Sequence, residues 1–430
     1  MNINKRSANL FNFAFGVLLV FNASGFFRFF SAGLGIPISI FTSFSFLINL
    51  VYIAVYYQHT VFIYRKSNFL NWLLLFLIWP ILTIPYSRSV KITDILLLFF
   101  FYSLFISSIV FCLVNSLRTI KTVFGLSIII SIIGGLLSIL TPEIFLPTIR
   151  AVNSSEHLSI HGRAFGFEIQ ANRLACNLCL MFIIWIALQK WNTNSIKISL
   201  SGIILFSFIL LTGSRTGIVV SLMIVFMITL YSLRFQSTFL LRLKNYIVLG
   251  ATSIIILISL ANYIAIKNPE KSIALRMKWF VGMVSFDKNT MDIVSESTNS
   301  DVPKRLELQT NYIKMILKRP WGYGYKGDQY YLKSGKLIMT AHSEFLTTAF
   351  QYSIIYPFAL LLLMSNFMKK KRRKSIENEL GTNFILQFIS VFFLLFVYAQ
   401  GTLISRAFLI SFAFIYCIFY YPEILTNDKK

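Results

Sequence analysis

Three arginines stand at the edges of long apolar runs: Arg163 in HGRAFGF, Arg215 in LTGSRTGIVV, and Arg305 at the head of KRLELQTNYIKMILKRP. A guanidinium inside a membrane span costs about 2.5–3.5 kcal/mol on insertion scales, so one that persists near a span is paired, hydrated or used. Arg215 is the most informative. Thr212, Gly213, Ser214, Thr216 and Gly217 surround it, and such small residues let a backbone approach a ligand while the amides of a helix start face it. That geometry receives anions, and the planar guanidinium grips a phosphate or pyrophosphate through two parallel bonds. The plain alternative is an arginine snorkelling to the interface from a tight hairpin.

His342 lies in AHSEFL at the mouth of a later apolar run, with Glu344 two positions on. Imidazole takes a proton from a hydroxyl near neutral pH, and a carboxylate orients it or raises its basicity; a histidine capping a helix is the structural alternative. Upstream, WGYGYKGDQYY brings Tyr323 and Tyr325 together with Tyr330 and Tyr331. Their rings either sit at headgroup level or stack on sugars. His157 and His161 lie four apart beside Glu156, but without a helix or a third convincing ligand they make a poor zinc site. No D-x-D pair accompanies the outward loops, so the carboxylates that would hold magnesium on a diphosphate are missing. Arginines then have to carry the leaving group's charge, which suffices for a pyrophosphate that departs without an added proton.

The elements that position these groups follow from composition. Of 430 residues 56% are hydrophobic and mean hydropathy is +0.71, too apolar for a water-soluble core. Continuous runs of roughly 18 residues call for helices, not a barrel. Twelve spans are expected near 9–27, 34–56, 69–87, 93–115, 120–140, 169–189, 198–213, 216–233, 246–266, 345–367, 383–400 and 403–421. Cys112, Cys176, Cys179 and Cys417 fall inside them and read as small packing residues, not a disulfide or redox pair.

A net charge of +24 would suggest nucleic acid in a soluble chain; here its placement sets topology. Arg65/Lys66, Arg118/Lys121, Lys190/Lys197, Arg234/Arg242/Lys244 and the run 369–374 fall in alternate connections. The positive-inside rule then puts both termini in the cytoplasm. The 369–374 run is a topology anchor, or else a lipid or partner site. Lys5 and Arg6 lead into a first helix read as an uncleaved anchor.

Two outward connections are too long to be turns. One is 141–168. The other, 267–344, divides the helices into 1–266 and 345–430 and holds 13 basic and 8 acidic residues. Within it Leu308, Tyr312, Met315 and Ile316 keep helical spacing, so 304–319 is expected as an amphipathic helix on the membrane surface that Pro320 ends.

Four segments in this order, GRAFGFEIQANRLA, LTGSRTGIVVSL, KRLELQTNYIKMILKRPWGYGYKG and AHSEFL, resemble the O-antigen polymerase and ligase family. The resemblance implies an all-α, GT-C-like protein of about twelve spanning helices in the bacterial inner membrane, its active site on the outer face. It implies a metal-independent, cofactor-free, inverting glycosyltransferase acting on undecaprenyl-pyrophosphate-linked oligosaccharide. Arg163, Arg215 and Arg305 then bind the pyrophosphate and His342 activates the acceptor hydroxyl, with Glu344, Asn172, Tyr323 and Tyr325 as candidates for contacting or orienting the acceptor. The family more often has Asn after the histidine, where this chain has Ser343. A polymerase, with a chain-length regulator as possible partner, is the favoured expectation, a ligase onto lipid A core or protein the alternative. A transporter of lipid-linked oligosaccharides would instead need ionisable groups at mid-span and paired halves.

Overall fold

The structure, a computed structural model, describes residues 5–88, 90–145, 164–168, 170–189, 191–234, 259, 302–333, 343–369 and 406–421. All described elements are helical. In chain order they are α1 (Lys5–Ala23), α2 (Phe26–Gly33), α3 (Ile38–Val55), α4 (Tyr57–Tyr64), α5 (Ser67–Leu73), α6 (Trp79–Thr83), α7 (Ile92–Val114) and α8 (Leu117–Leu140). Then follow α9 (Ala171–Ala187), α10 (Trp191–Thr212), α11 (Arg215–Arg234), α12 (Val302–Lys318), α13 (Gly327–Lys333), α14 (Glu344–Tyr352), α15 (Ile355–Lys369) and α16 (Arg406–Tyr420).

Among the described residues, Ile38–Val55, Asn68–Tyr86, Ile92–Val114 and Leu117–Leu140 are long and apolar enough to cross a membrane, and shorter apolar helices include Ala171–Ile186, Leu200–Thr212 and Arg406–Cys417. Leu47, Val51, Ile129, Ile204 and Phe226 are each more than half exposed. Such faces need lipid as their solvent, and the chain is a membrane protein. The expected span 383–400, and 246–266 apart from residue 259, lie outside the described residues.

Within a core mostly of Phe, Leu and Ile, several of the closest helix contacts are made by small and polar residues, as expected where lipid is as apolar as leucine. Along α8, Ser127, Ser131, Gly134, Gly135 and Ser138 form one buried stripe. A Cβ on Gly134 would stand 2.5 Å from the Phe167 ring, and one on Gly135 2.2 Å from that of Phe208. Asn12 accepts from the hydroxyls of Tyr52 at 2.8 Å and Tyr56 at 2.9 Å, tying α1 to α3. Ser107 donates to Asn49 at 3.1 Å across α3 and α7. The four cysteines form no disulfide and all are buried.

Two expected spans, the first and the tenth, are interrupted, and the third is continuous but irregular. The first stops at Ala23, and Gly25 (φ +75°) redirects the chain into α2. The third passes from α5 through a π-helical stretch, Leu74–Ile78, into α6, where the ring of Pro80 stands in the first turn. The tenth is two helices: α14 ends at Tyr352 and α15 begins at Ile355, with Ser353 at φ 142°, ψ 154° between them. That backbone region is nearly restricted to glycine, so tertiary contacts must hold it. The amide of Ile354 donates to Pro320 carbonyl oxygen at 2.9 Å, and Ser353 hydroxyl accepts from Ile355 amide at 3.0 Å.

Candidate functional site

The segment after Arg163 is held down by its phenylalanines and one serine. Phe165 and Phe167 are buried with Phe145 and Ala171, against Phe26 and Phe29. The rings of Phe26 and Phe167 meet edge to face at 5.1 Å. Gly166 takes φ +56°, and the amides of Phe165 and Gly166 both donate to the Ser138 hydroxyl, at 3.1 and 3.3 Å. One α8 side chain thereby satisfies two buried donors of the loop. Arg163 itself lies outside the described residues. The next residue, Ala164, donates its amide to Leu211 carbonyl oxygen at 2.9 Å. The GRAFGFE and LTGSRTG segments are therefore neighbours.

In the LTGSRTG turn, Gly213 (φ +59°) ends α10 and its amide returns to Leu210 at 2.9 Å. Ser214, fully buried, caps α11: its hydroxyl accepts from Gly217 amide at 3.2 Å and its carbonyl from Ile218 amide at 2.8 Å. Arg215 is therefore the first residue of a capped helix. A Cβ on Gly217 would lie 2.7 Å from that of Ala175, so the small residue there serves close packing of α11 on α9. Asn172 sits half-buried in the first turn of α9, beside Arg173.

The second pair of motifs meets in the same manner. Leu308, Tyr312 and Ile316 of α12 are buried against Ala349 and Phe350 of α14, with Met315 packed beside them. The face expected to rest on the membrane instead packs on a helix. Arg305 opens α12. After Pro320, the amides of Tyr323 and Gly324 donate to the carbonyls of Phe350 and Gln351, both at 2.8 Å. Gly322 (φ +88°) and Gly324 (φ +91°) have no room for a side chain. An added Cβ would lie 2.7 Å from Gln351 carbonyl oxygen at the first and 2.5 Å from Ser87 amide nitrogen at the second. His342 lies outside the described residues. The helix that follows it, α14, is capped by Ser343, whose hydroxyl accepts from Leu346 amide at 3.4 Å; Glu344 is its first residue. Ser343 thus takes the capping role itself.

Tyr325 is 4% exposed, its ring parallel to that of Tyr352 at 6.3 Å, and burial raises its phenol pKa. It presents no open face and holds the loop to the bundle. Tyr323 is half-buried, stacked on Phe350 at 4.4 Å, and donates its hydroxyl to Met315 carbonyl oxygen at 3.0 Å.

The loop is braced further. Lys326, at φ 56°, donates to Asp94 at 2.5 Å; Asp94 also accepts from Lys91 amide at 3.1 Å at the start of α7. Gln351 donates to Asp328 at 2.7 Å, and Trp79 donates its indole N–H to Tyr352 carbonyl oxygen at 3.1 Å. The end of the third apolar run, 79–94, is therefore part of this assembly. Its signal in the sequence is PYSRSVK, which closes that run with an aromatic, an arginine and a lysine.

Arg406 opens α16 and donates to Thr42 at 2.7 Å and to Asn22 at 3.3 Å, with its guanidinium carbon 5.0 Å from the Phe100 ring centre. Like Arg163 and Arg215, it is an arginine at the edge of an apolar run. Among the described residues, no three His, Cys, Asp or Glu side chains gather in a metal-ligating group.

Compared with models of known families, residues 200–355 match the family described as O-antigen ligase. Neither the curated proteins nor the solved structures contain a match. The matched stretch runs through the Arg215 hairpin, α12, the 319–327 loop and α14. That match, over residues 200–355, supports the resemblance of this chain's motifs to the O-antigen polymerase and ligase family.

Proposed function

We propose that the protein is a surface-polysaccharide polymerase, moving a growing glycan from undecaprenyl pyrophosphate onto a lipid-linked repeat unit at the outer face of the inner membrane. The observation that carries this reading is the family match over 200–355, which takes in Arg215, Arg305 and His342. Backbone hydrogen bonds join Ala164 to Leu211 and the 323–324 loop to the end of α14, which makes two neighbouring pairs of the four motifs; the proposal brings both pairs to one donor.

In this mechanism Arg163, Arg215 and Arg305 bind the donor's pyrophosphate, and the neutral imidazole of His342 accepts the proton of the acceptor hydroxyl. The acceptor oxygen attacks the anomeric carbon from the face opposite the leaving group. A C–O glycosidic bond forms, the C–O bond to phosphate breaks, and undecaprenyl pyrophosphate leaves as an anion with inversion. The guanidiniums stabilise the charge that develops on the leaving oxygen, and the held geometry of donor and acceptor supplies much of the remaining rate. Glu344 and Asn172 orient the acceptor side. The GT-C-like arrangement of twelve spans, with both termini cytoplasmic, belongs to this proposal.

A ligase is the second reading, favoured by the description of the matched family. The surface glycan of a strain lacking the gene separates the two. A polymerase loss leaves single repeats on the lipid core; a ligase loss leaves bare core and polymer still on its lipid carrier. Unpolymerised precursor held at the cytoplasmic face would contradict both readings and indicate transport.

A further inference from the structure

Around the braced loop, four side chains from two distant segments make one exposed patch. Tyr86 is 56% exposed, Arg88 is exposed, and Arg319 and Tyr330 are partly so. Arg319 lies 5.4 Å from the Tyr323 ring centre and 6.0 Å from that of Tyr86; Arg88 lies 5.6 Å from that of Tyr330. Among the described residues neither guanidinium is paired with a carboxylate: Asp94 is taken by Lys326. Two positive charges therefore lie beside aromatic rings, and the Arg88 guanidinium also donates to the Tyr330 hydroxyl, leaving its other N–H donors for an anion.

A guanidinium on a ring gains from the ring's quadrupole while keeping its in-plane donors for an anion. Exposed tyrosine faces complement the C–H faces of a sugar. The patch is also rigid. Gly324 backbone seats directly on Thr83 and Ser87, the Lys326–Asp94 pair ties the loop to α7, and the Trp79–Tyr352 bond ties the α14 end that carries the loop to α6. Bilayer headgroups need no such preorganised seat, since long flexible side chains reach them. The loop is bonded to Phe350 and Gln351, about 12 Å along α14 from the Ser343 end by helical rise. A glycan bound near that end has the patch within reach.

We propose that Tyr86, Arg88, Arg319 and Tyr330 form a subsite for an anionic saccharide unit, carboxylate- or phosphate-bearing, of the acceptor glycan. Its role as acceptor subsite rests on the glycan-transfer reading above. The test uses the full chain in nanodiscs of uncharged lipid, titrated with a uronic-acid tetrasaccharide and with its carboxyl-reduced counterpart. The wild type binds the acidic form about tenfold more tightly, the increment of one charge-assisted contact. Arg88→Gln with Arg319→Gln removes that preference, and Tyr86→Ala weakens both sugars alike. Nanodiscs containing phosphatidylglycerol leave the preference in place.

Equal affinity for the two sugars, no binding of either, or a preference that survives the double arginine variant would overturn the proposal. Loss of the preference in anionic lipid would assign the patch to headgroups instead and overturn it as well. Thermal unfolding of each variant separates lost binding from lost fold, and Arg88→Gln alone, at an exposed position, halves the test if the double variant fails to fold. Transfer from a lipid-linked donor is measured in the same nanodiscs. Sugar discrimination without transfer would remove the glycosyltransferase reading and keep the subsite; transfer without discrimination would do the reverse.

Discussion

Replacing Ser138 by alanine isolates how the loop behind Arg163 is held. The serine hydroxyl accepts from two buried amides, Phe165 at 3.1 Å and Gly166 at 3.3 Å. Alanine leaves both donors unsatisfied, at about 1–3 kcal/mol for each orphaned buried group. Because the two share one acceptor, the expected loss is about 2–4 kcal/mol of local stability. The loop cannot recover this by moving closer to α8, since Phe167 already fills the space over Gly134. It moves outward, and a shift of about 1 Å costs on the order of a hundredfold in rate at a site that depends on position. Purified S138A in nanodiscs should therefore lose about a hundredfold in kcat for transfer from a lipid-linked donor, with a lowered Tm and the helices intact by circular dichroism. S138C, with a weaker acceptor, should fall between. Wild-type turnover and Tm in S138A would refute the claim that this serine sets the loop.

Gly324→Ala places a side chain at φ +91° against the backbone of Thr83 and Ser87; the left-handed conformation alone costs about 1–2 kcal/mol. Limited proteolysis should find the 319–333 segment newly cleavable. Lys326→Met breaks a mostly buried ion pair with Asp94, for about 1–2 kcal/mol, between the values for exposed and buried pairs. Adding Asp94→Asn should restore part of the Tm, because the orphaned carboxylate is removed. Arg406→Gln loses the charge-assisted bonds to Thr42 and Asn22, about 1.5–3 kcal/mol, read as a lower Tm.

The helices themselves were legible because lipid imposes a length and a composition: 93–115 was expected and Ile92–Val114 is found, 120–140 was expected and Leu117–Leu140 is found. The breaks within spans were not legible. Ser353 carries no signal for a positive φ; its conformation is set by Ile354 bonding Pro320, a partner more than thirty positions away. For the same reason α12 showed its apolar face but not what covers it. Of the candidate site, the GRAFGFE and LTGSRTG motifs announced themselves by small residues around an arginine, and the structure adds that Ala164 and Leu211 bond. The 79–94 segment went unread because its partnership with Lys326 spans 232 positions, beyond any local pattern. Tyr325 looked like a stacking surface because aromatic type is visible in a sequence and burial in an irregular loop is not.

Donor binding and turnover, measured separately on purified R215A and H342A in nanodiscs with a lipid-pyrophosphate-linked repeat unit, test the central claim most directly. The account predicts that R215A weakens donor binding at least tenfold, while H342A binds donor as the wild type does and makes no product. Normal donor affinity in R215A, or product formed at the wild-type rate by H342A, would contradict it.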